Sequence, residues 1–240
     1  DYTMSAYQFL PSYLTKYKTA KHFIWLHGSV EHYFTGLPKL FTSTYKNKLT
    51  KYDQVITTAF EMKEQLEIFF PSLDKDKISM IYNPVDFNKV IEQSNDFQDL
   101  SEWEKDLIDC FFICTVCRLD ENQKDMVSLI EAYEALYINQ KIDCPLYVIG
   151  SGPSEEYLKN IVLKKGLKEK IIFLGYKNNP YIWIKKAKLF ILSTKFEGLP
   201  TILIETMILD TFIISSNCKT GPKEILNNGN AGDLFSIGDV

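Results

Sequence analysis

From Phe111 onward, apolar runs of strand length alternate with stretches of helical period, and this alternation constrains the fold more than any other feature of the chain. Strands that are apolar on both faces must be covered on both faces, and a parallel sheet flanked by helices does that. Phe111–Val116, Leu146–Ile149, Ile171–Leu174, Leu189–Leu192 and Phe212–Ser215 read as the strands. Between them, Met126, Leu129, Ile130, Tyr133 and Tyr137 fall on one helical face. Ser154 is placed to cap a helix running to Lys165, with Glu155 and Glu156 in its first turn and Gly166 to end it. Further helices are expected over Tyr181–Lys186 and Thr201–Leu209. The whole predicts a Rossmann-like parallel-sheet domain over residues 89–240.

Residues 1–88 predict a partial α/β domain, too short to be a full second one. His22–Leu26, Gln54–Thr57 and Ile78–Tyr82 read as strands, with a helix over Ala59–Phe69 that ends before Pro71. Val90–Asp106 is polar and acidic with scattered apolar residues, which predicts a connection or a surface helix and not a core element.

The charge balance, 27 basic against 31 acidic residues for a net of −4, argues against a nucleic-acid partner, so any anion site must be local. The five cysteines are odd in number and lie mostly in apolar runs, as in reduced intracellular proteins, and no run approaches the roughly 18 apolar residues of a membrane span. A cytoplasmic protein without disulfides is expected. Cys110, Cys114 and Cys117 have the spacing of an iron–sulfur site, but on an extended run the first two would stand about 13 Å apart with the third on the opposite face. They cannot share one cluster.

Two segments carry the expected chemistry. Phe196–Thr201 follows a strand and opens a helix, with Pro200 suited to the first turn; its free amides and the helix dipole form an anion site that Gly198 lets a ligand approach closely. Glu205 follows Glu197 by eight positions, a helical rise of about 12 Å, too far for the paired carboxylates of a glycosidase at about 5 to 9.5 Å. The two would grip separate parts of one long ligand. Arg118 and Lys124 flank the loop leaving the first strand of the domain, at the carboxyl edge where open parallel sheets bind ligands, and two cations there would neutralise a diphosphate. Gly150-Ser-Gly-Pro153 lacks the third glycine of a dinucleotide fingerprint.

Cys117-Arg-Leu-Asp120 with Lys124, Gly150-Ser-Gly-Pro153, Phe173-Leu-Gly175, Glu197-Gly-Leu-Pro200 and Glu205 resemble, in order and identity, the motifs of glycosyltransferase family 4. The resemblance is strong over roughly Ile113–Val240. It implies a GT-B fold, donor-diphosphate contacts from Arg118 and Lys124, ribose binding by Glu205, an approach of Glu197 to the transferred sugar, and help from the Gly198, Leu199, Pro200 and Thr201 amides. Ile24-Trp-Leu-His27 resembles the segment whose histidine faces the donor sugar, which makes His27 a catalytic-region candidate beside Glu197. His22 and His32 carry no assignable role. Tyr82-Asn-Pro-Val-Asp86 resembles the boundary between the two domains of such proteins. The Gly-rich loop expected near the amino end and the usual closing helices are not found, so a truncated chain with an intact donor region is expected.

The resemblance implies a retaining hexosyltransferase that uses a nucleotide-diphosphate sugar, UDP-linked by expectation, and extends a glycan or lipid-linked glycan of the kind found in surface polysaccharides. No cofactor and no metal are expected, since Arg118, Lys124 and helix amides would do the work of a divalent ion. A lipid-linked acceptor would bring the protein into peripheral contact with the inner face of the membrane. Two other readings stand beside this one: a catalytically incomplete nucleotide-sugar-binding module, and a phosphorylase-like enzyme of similar fold, against which the absence of a recognisable pyridoxal-lysine segment counts.

Overall fold

A computed structural model describes residues 21–31 and 47–239; His32 lies outside the described residues. By its contacts the chain divides into two compact units, one of Asp1–Asn83, Phe196–Leu199 and Lys219–Glu224, the other of Pro84–Lys195, Pro200–Cys218 and Ile225–Val240.

In the first unit, β1 (Phe23–Leu26), β2 (Gln54–Thr57) and β3 (Ile78–Met80) form a parallel sheet in that order. Ile24, Leu26, Val55 and Ile56 are buried. Helix α1 (Phe60–Phe69) buries Met62 and Leu66, one turn apart, and its Phe70 amide closes on the Leu66 carbonyl just before Pro71. It starts one residue later than the sequence suggests. Ala59 is extended, and the first helical amide, Phe60 N–H, donates to the Glu224 carboxylate at 3.0 and 3.3 Å. Tyr82 hydroxyl donates to the same carboxylate at 2.6 Å.

The second unit is built on a six-stranded parallel sheet of β4 (Ile113–Val116), β5 (Leu146–Ile149), β6 (Ile171–Gly175), β7 (Leu189–Leu192), β8 (Ile213–Ser216) and β9 (Asp233–Phe235), in the order β6-β5-β4-β7-β8-β9. This is the doubly wound order, whose strand sequence reverses beside β4. On one face Ile113, Leu146, Val148 and Ile171 pack against Met126, Ile130 and Tyr133 of α4 (Met126–Ile138) and Leu158 and Val162 of α5 (Glu155–Lys164). On the other face Cys114, Tyr147, Ile149, Phe190 and Leu192 pack against α6 (Tyr181–Lys186) and α7 (Thr201–Ile208), chiefly through Trp183 and Leu203. Phe112, Tyr147 and Trp183 form a ring cluster with centroids 4.7 to 6.3 Å apart. β4 begins at Ile113, where its ladder with Leu146 begins; Phe111 is exposed while Phe112 is fully buried.

Three local expectations are corrected. The polar stretch after Val90 is not a mere surface connection: α2 (Phe87–Gln93), α3 (Glu102–Ile108) and the segment between them send Val90, Ile108 and Leu100, respectively, into the main core. Few apolar residues suffice because each is spaced to point inward. The Ser154 hydroxyl stands at the start of α5 but accepts the Glu121 amide at 2.9 Å and does not cap its own helix. Pro200 lies just outside α7 with ψ near 93°, so Thr201 is the first helical residue. Of the eight positions from Glu197 to Glu205, only those from Thr201 onward are therefore helical. α8 (Pro222–Ile225) is a single turn.

Cys114 and Cys117 face opposite sides of the sheet, as an extended run requires, whereas Cys110 precedes the strand. Cys114 thiol packs toward the Trp183 carbonyl, Cys117 lies 3.7 Å from the Met126 sulfur on the other face, and Cys110 thiol lies 3.3 Å from the Tyr147 hydroxyl. All five cysteines are unbridged. Among the described residues no helix is long and apolar enough to cross a membrane.

Candidate functional site

In the second unit the loops leaving β4, β5 and β6 meet at the carboxyl edge of the sheet. The β4–β5 pairing continues past the strands: Cys117 N–H donates to Ile149 O at 3.0 Å, Leu119 N–H to Ser151 O at 3.0 Å, and Ser154 N–H to Leu119 O at 2.9 Å. Such back-to-back loops leave no room for side chains. A Cβ at Gly150, whose φ is +132°, would stand 1.9 Å from the Cys117 carbonyl oxygen, and one at Gly152 would stand 2.4 Å from that of Leu119. The glycines therefore serve the chain's own backbone and thereby hold the loop that bears Arg118.

An open cleft of about 690 Å³ lies in front of these loops, walled by Val116–Arg118, Ile149–Pro153, Tyr176–Asn178, Pro180 and Tyr181. The Arg118 side chain is 69% exposed, and its nearest carboxylate, Asp120, is 4.0 Å away. A surface pair so loose is worth little, so the guanidinium can turn to an anion in the cleft. Lys124 sits at the far end of the same loop, its amide closing a turn on the Asp120 carbonyl at 2.7 Å, and is not a wall of the cleft. Lys177 on the β6 side is held by Glu104 at 2.5 Å. Glu104 is nearly buried; burial pushes its carboxyl up, but Lys177 and Ser101 outweigh it and hold the pKa below the usual range.

The anion position in front of α4 is already filled. Glu121 Oε2 accepts from the Met126 and Val127 amides at 3.0 and 3.3 Å, and Lys195 Nζ binds the Glu121 carboxylate at 3.1 Å and its carbonyl at 2.7 Å, with Asp125 at 3.7 Å. The sequence reading passed over both Glu121 and Lys195; an acid five positions ahead of the helix was the available signal for the first, whereas the second is 74 residues away in sequence.

Glu205 stands in the second turn of α7, half-buried. Burial raises its pKa, and a hydrogen bond from the Tyr181 hydroxyl works against that rise. Tyr181 is itself shifted up, by burial first and then by Glu205. Tyr181 is part of the cleft wall and opens α6, which packs against the helix α7 that carries Glu205.

Glu197, Gly198 and Leu199 group with the first unit. A Cβ at Gly198 would stand 2.0 Å from the His27 carbonyl oxygen and 2.7 Å from its carbon, so glycine is required here by contact with the His27–Gly28 backbone. Glu197 and Leu199 are buried, and the Glu197 carbonyl accepts the Thr220 hydroxyl. His27 stacks on Trp25 at 5.9 Å and is bonded to Asn83; burial lowers its pKa, which keeps the ring neutral at pH 7. The structure therefore brings His27 beside the Glu197–Leu199 turn, and separately brings Arg118, the Gly150 loop, Tyr181 and Glu205 to one edge of the larger sheet. Among the described residues no group of three His, Cys, Asp or Glu is placed to hold a metal ion.

Residues 102–240 match the sequence profile of the family described as Glycosyl transferases group 1. The chain belongs to that family. Within this glycosyl transferase family it is 31% identical over 211 residues to an uncharacterized glycosyltransferase of Methanocaldococcus jannaschii, covering 86% of this chain and 50% of that protein. It is 26% identical over 231 residues to the lipopolysaccharide 1,6-galactosyltransferase of Salmonella typhimurium, covering 93% of this chain and 57% of that one. The chain spans about half the length of the curated relatives it matches. In structure it is similar to the Anabaena protein HepE solved with UDP, with a TM-score of 0.78, 14% identity, and coverage of 97% of this chain and 63% of that one. This likeness establishes the GT-B-like α/β fold that the motifs imply.

Proposed function

We propose that the protein is a retaining glycosyltransferase that moves a hexose from a UDP-type sugar to a glycan hydroxyl. The observation that carries this is the cleft at the carboxyl edge of the larger sheet, with the exposed, loosely paired Arg118 guanidinium and Tyr181 on its wall. Arg118 meets the diphosphate, with Lys124 reinforcing it from the same loop, and Glu205 accepts from the ribose diol. The family resemblance, and not a placement seen here, is what assigns the sugar end to Gly198, Leu199, Pro200 and Thr201 with Glu197 and His27. Charge neutralisation accelerates transfer insofar as it strengthens while the bond to the leaving phosphate breaks. No metal is assigned a part. Support for UDP comes from HepE, solved with UDP and with UDP-glucose.

Relatives named for lipopolysaccharide and for undecaprenol-linked oligosaccharide synthesis favour a surface-polysaccharide acceptor, lipid-linked and met at the cytoplasmic face of the membrane. Retention rests on the family resemblance and is tested by the anomeric configuration of the product. Calorimetric titration of this chain with UDP tests the donor site. Arg118→Ala is expected to weaken binding about tenfold, the loss of a charge-assisted contact, without lowering the melting temperature; unchanged affinity would refute the assignment. A second reading is favoured by the chain's spanning about half of its relatives: it binds the donor without turning it over. UDP binding with no transfer to any glycan acceptor would select it.

A further inference from the structure

We infer that Lys195 is a positioning residue for the donor site: its ammonium clamps the loop that presents Arg118 to the cleft. The inference rests on the donor-site reading and goes beyond it, because neither Lys195 nor its partner Glu121 belongs to the motifs that carry the family resemblance.

Residues 118–124 are neither helix nor strand, so what fixes Arg118 at the cleft wall is what the segment is tied to. On one side it is tied to the loop after β5, where the Leu119 amide donates to the Ser151 carbonyl at 3.0 Å and the Glu121 amide to the Ser154 hydroxyl at 2.9 Å. On the other side it is tied to the end of β7. The Gln123 carbonyl accepts from the Lys195 amide at 2.8 Å and from the Thr194 hydroxyl at 3.1 Å. Lys195 Nζ reaches further back along the loop, to the Glu121 carbonyl at 2.7 Å and to Glu121 Oε1 at 3.1 Å. The bond to the carbonyl fixes main chain three residues from Arg118. The anchor itself is rigid: Thr194 is fully buried, its amide donates to the Ser216 hydroxyl at 2.9 Å, and that hydroxyl donates to the Thr194 carbonyl at 2.7 Å. β8 thus holds the backbone from which the lysine projects.

Electrostatics explains why a cation stands here. Glu121 Oε2 is occupied by the Met126 and Val127 amides, and the Asp125 carboxylate, its side chain 9% exposed, stands 3.7 Å from Lys195 Nζ, so two carboxylates meet at the start of α4. Lys195 pairs with both. It is not among the residues that wall the cleft, so it acts on a bound anion through the loop and not by contact. A clamp of this kind removes the freedom of the loop before the donor arrives, and less has to be ordered on binding.

The test is a double-mutant cycle read by calorimetric titration with UDP, on wild type, Arg118→Ala, Lys195→Met and the double variant, with thermal unfolding to place each titration below the melting temperature. Methionine keeps most of the apolar stem and removes both Nζ bonds. Lys195→Met is expected to bind UDP about fivefold more weakly than wild type and to add nothing to the roughly tenfold loss of Arg118→Ala, because a loop without its guanidinium has nothing left to position. Glu121→Gln loosens the same clamp from the other side and leaves an oxygen for the α4 amides. It is expected to show a smaller loss with the same lack of additivity, and it takes the place of Lys195→Met should that variant not fold. A lower melting temperature with unchanged UDP affinity would show that the clamp is structural only, and losses that multiply in the double variant would show that Lys195 acts on the anion itself; either result overturns the inference and leaves the donor site standing. If Arg118→Ala binds UDP as wild type does, the donor assignment falls and the role of Lys195 falls with it.

Discussion

Gly150→Ala isolates the contact on which the geometry of the cleft depends. Two terms add at this position. The φ of +132° is a region that an L side chain rarely adopts, a strain of about 1 to 3 kcal/mol, and the new Cβ would stand 1.9 Å from the Cys117 carbonyl oxygen and 3.0 Å from its carbon, a backbone clash relieved only by parting the two loops at a further cost of about 1 to 3 kcal/mol. The sum is about 4 kcal/mol, and for a chain of this size each kcal/mol lowers the melting temperature by about 2 to 4 °C. Gly166→Ala is the control, because its φ is also positive, +69°, yet nothing lies within 4 Å of the added Cβ. Differential scanning calorimetry is expected to show a drop of about 8 to 16 °C for Gly150→Ala and about 2 to 4 °C for Gly166→Ala. Parting the loops also displaces Arg118, so Gly150→Ala loses UDP affinity below its melting temperature while Gly166→Ala keeps it. Equal drops for the two variants would show that strain alone acts, and that the close approach of the Cys117 carbonyl does not hold the Arg118 loop.

Two further perturbations follow from buried charges. Glu205 has its pKa raised by burial, so its protonated form favours the fold and that stability is lost as pH rises through the folded-state pKa; Glu205→Gln is expected to melt no lower than wild type at pH 8, with any advantage shrinking toward pH 4, and a clear destabilisation at pH 8 would contradict this. Glu104 has its pKa lowered, so its contribution is present above the unfolded value and is lost as pH falls through the folded one; Lys177→Met strands the carboxylate and is expected to cost about 3 kcal/mol at pH 7, measured by urea unfolding, with the deficit narrowing as the solution is acidified.

Much of the architecture was legible because it depends on periodicity. Short apolar runs separated by helical stretches imply a parallel sheet wherever they occur, and Leu146–Ile149, Leu189–Leu192 and Tyr181–Lys186 have the bounds that the pattern predicts. α2, α3 and the segment between them were not legible as core elements, since Val90, Ile108 and Leu100 are buried by what lies opposite them and not by any local run of apolar residues. β9 was missed for a similar reason: Asp233–Phe235 is too short and mixed to signal a strand until β8 offers it a ladder.

For the candidate site, local order in the chain determined which residue types stand at the strand ends: an arginine and a lysine after β4, glycines after β5, a glutamate in the helix after β7. Tertiary structure alone decided what each one faces. It placed a carbonyl against Gly150 and another against Gly198, filled the start of α4 with Glu121 and Lys195, and set α6, which Tyr181 opens, against the helix α7 that carries Glu205. The reason is physical: a side chain's type and local conformation are encoded near it, whereas its solvation and its hydrogen-bond partners come from residues far along the chain that only the packed sheet brings within reach.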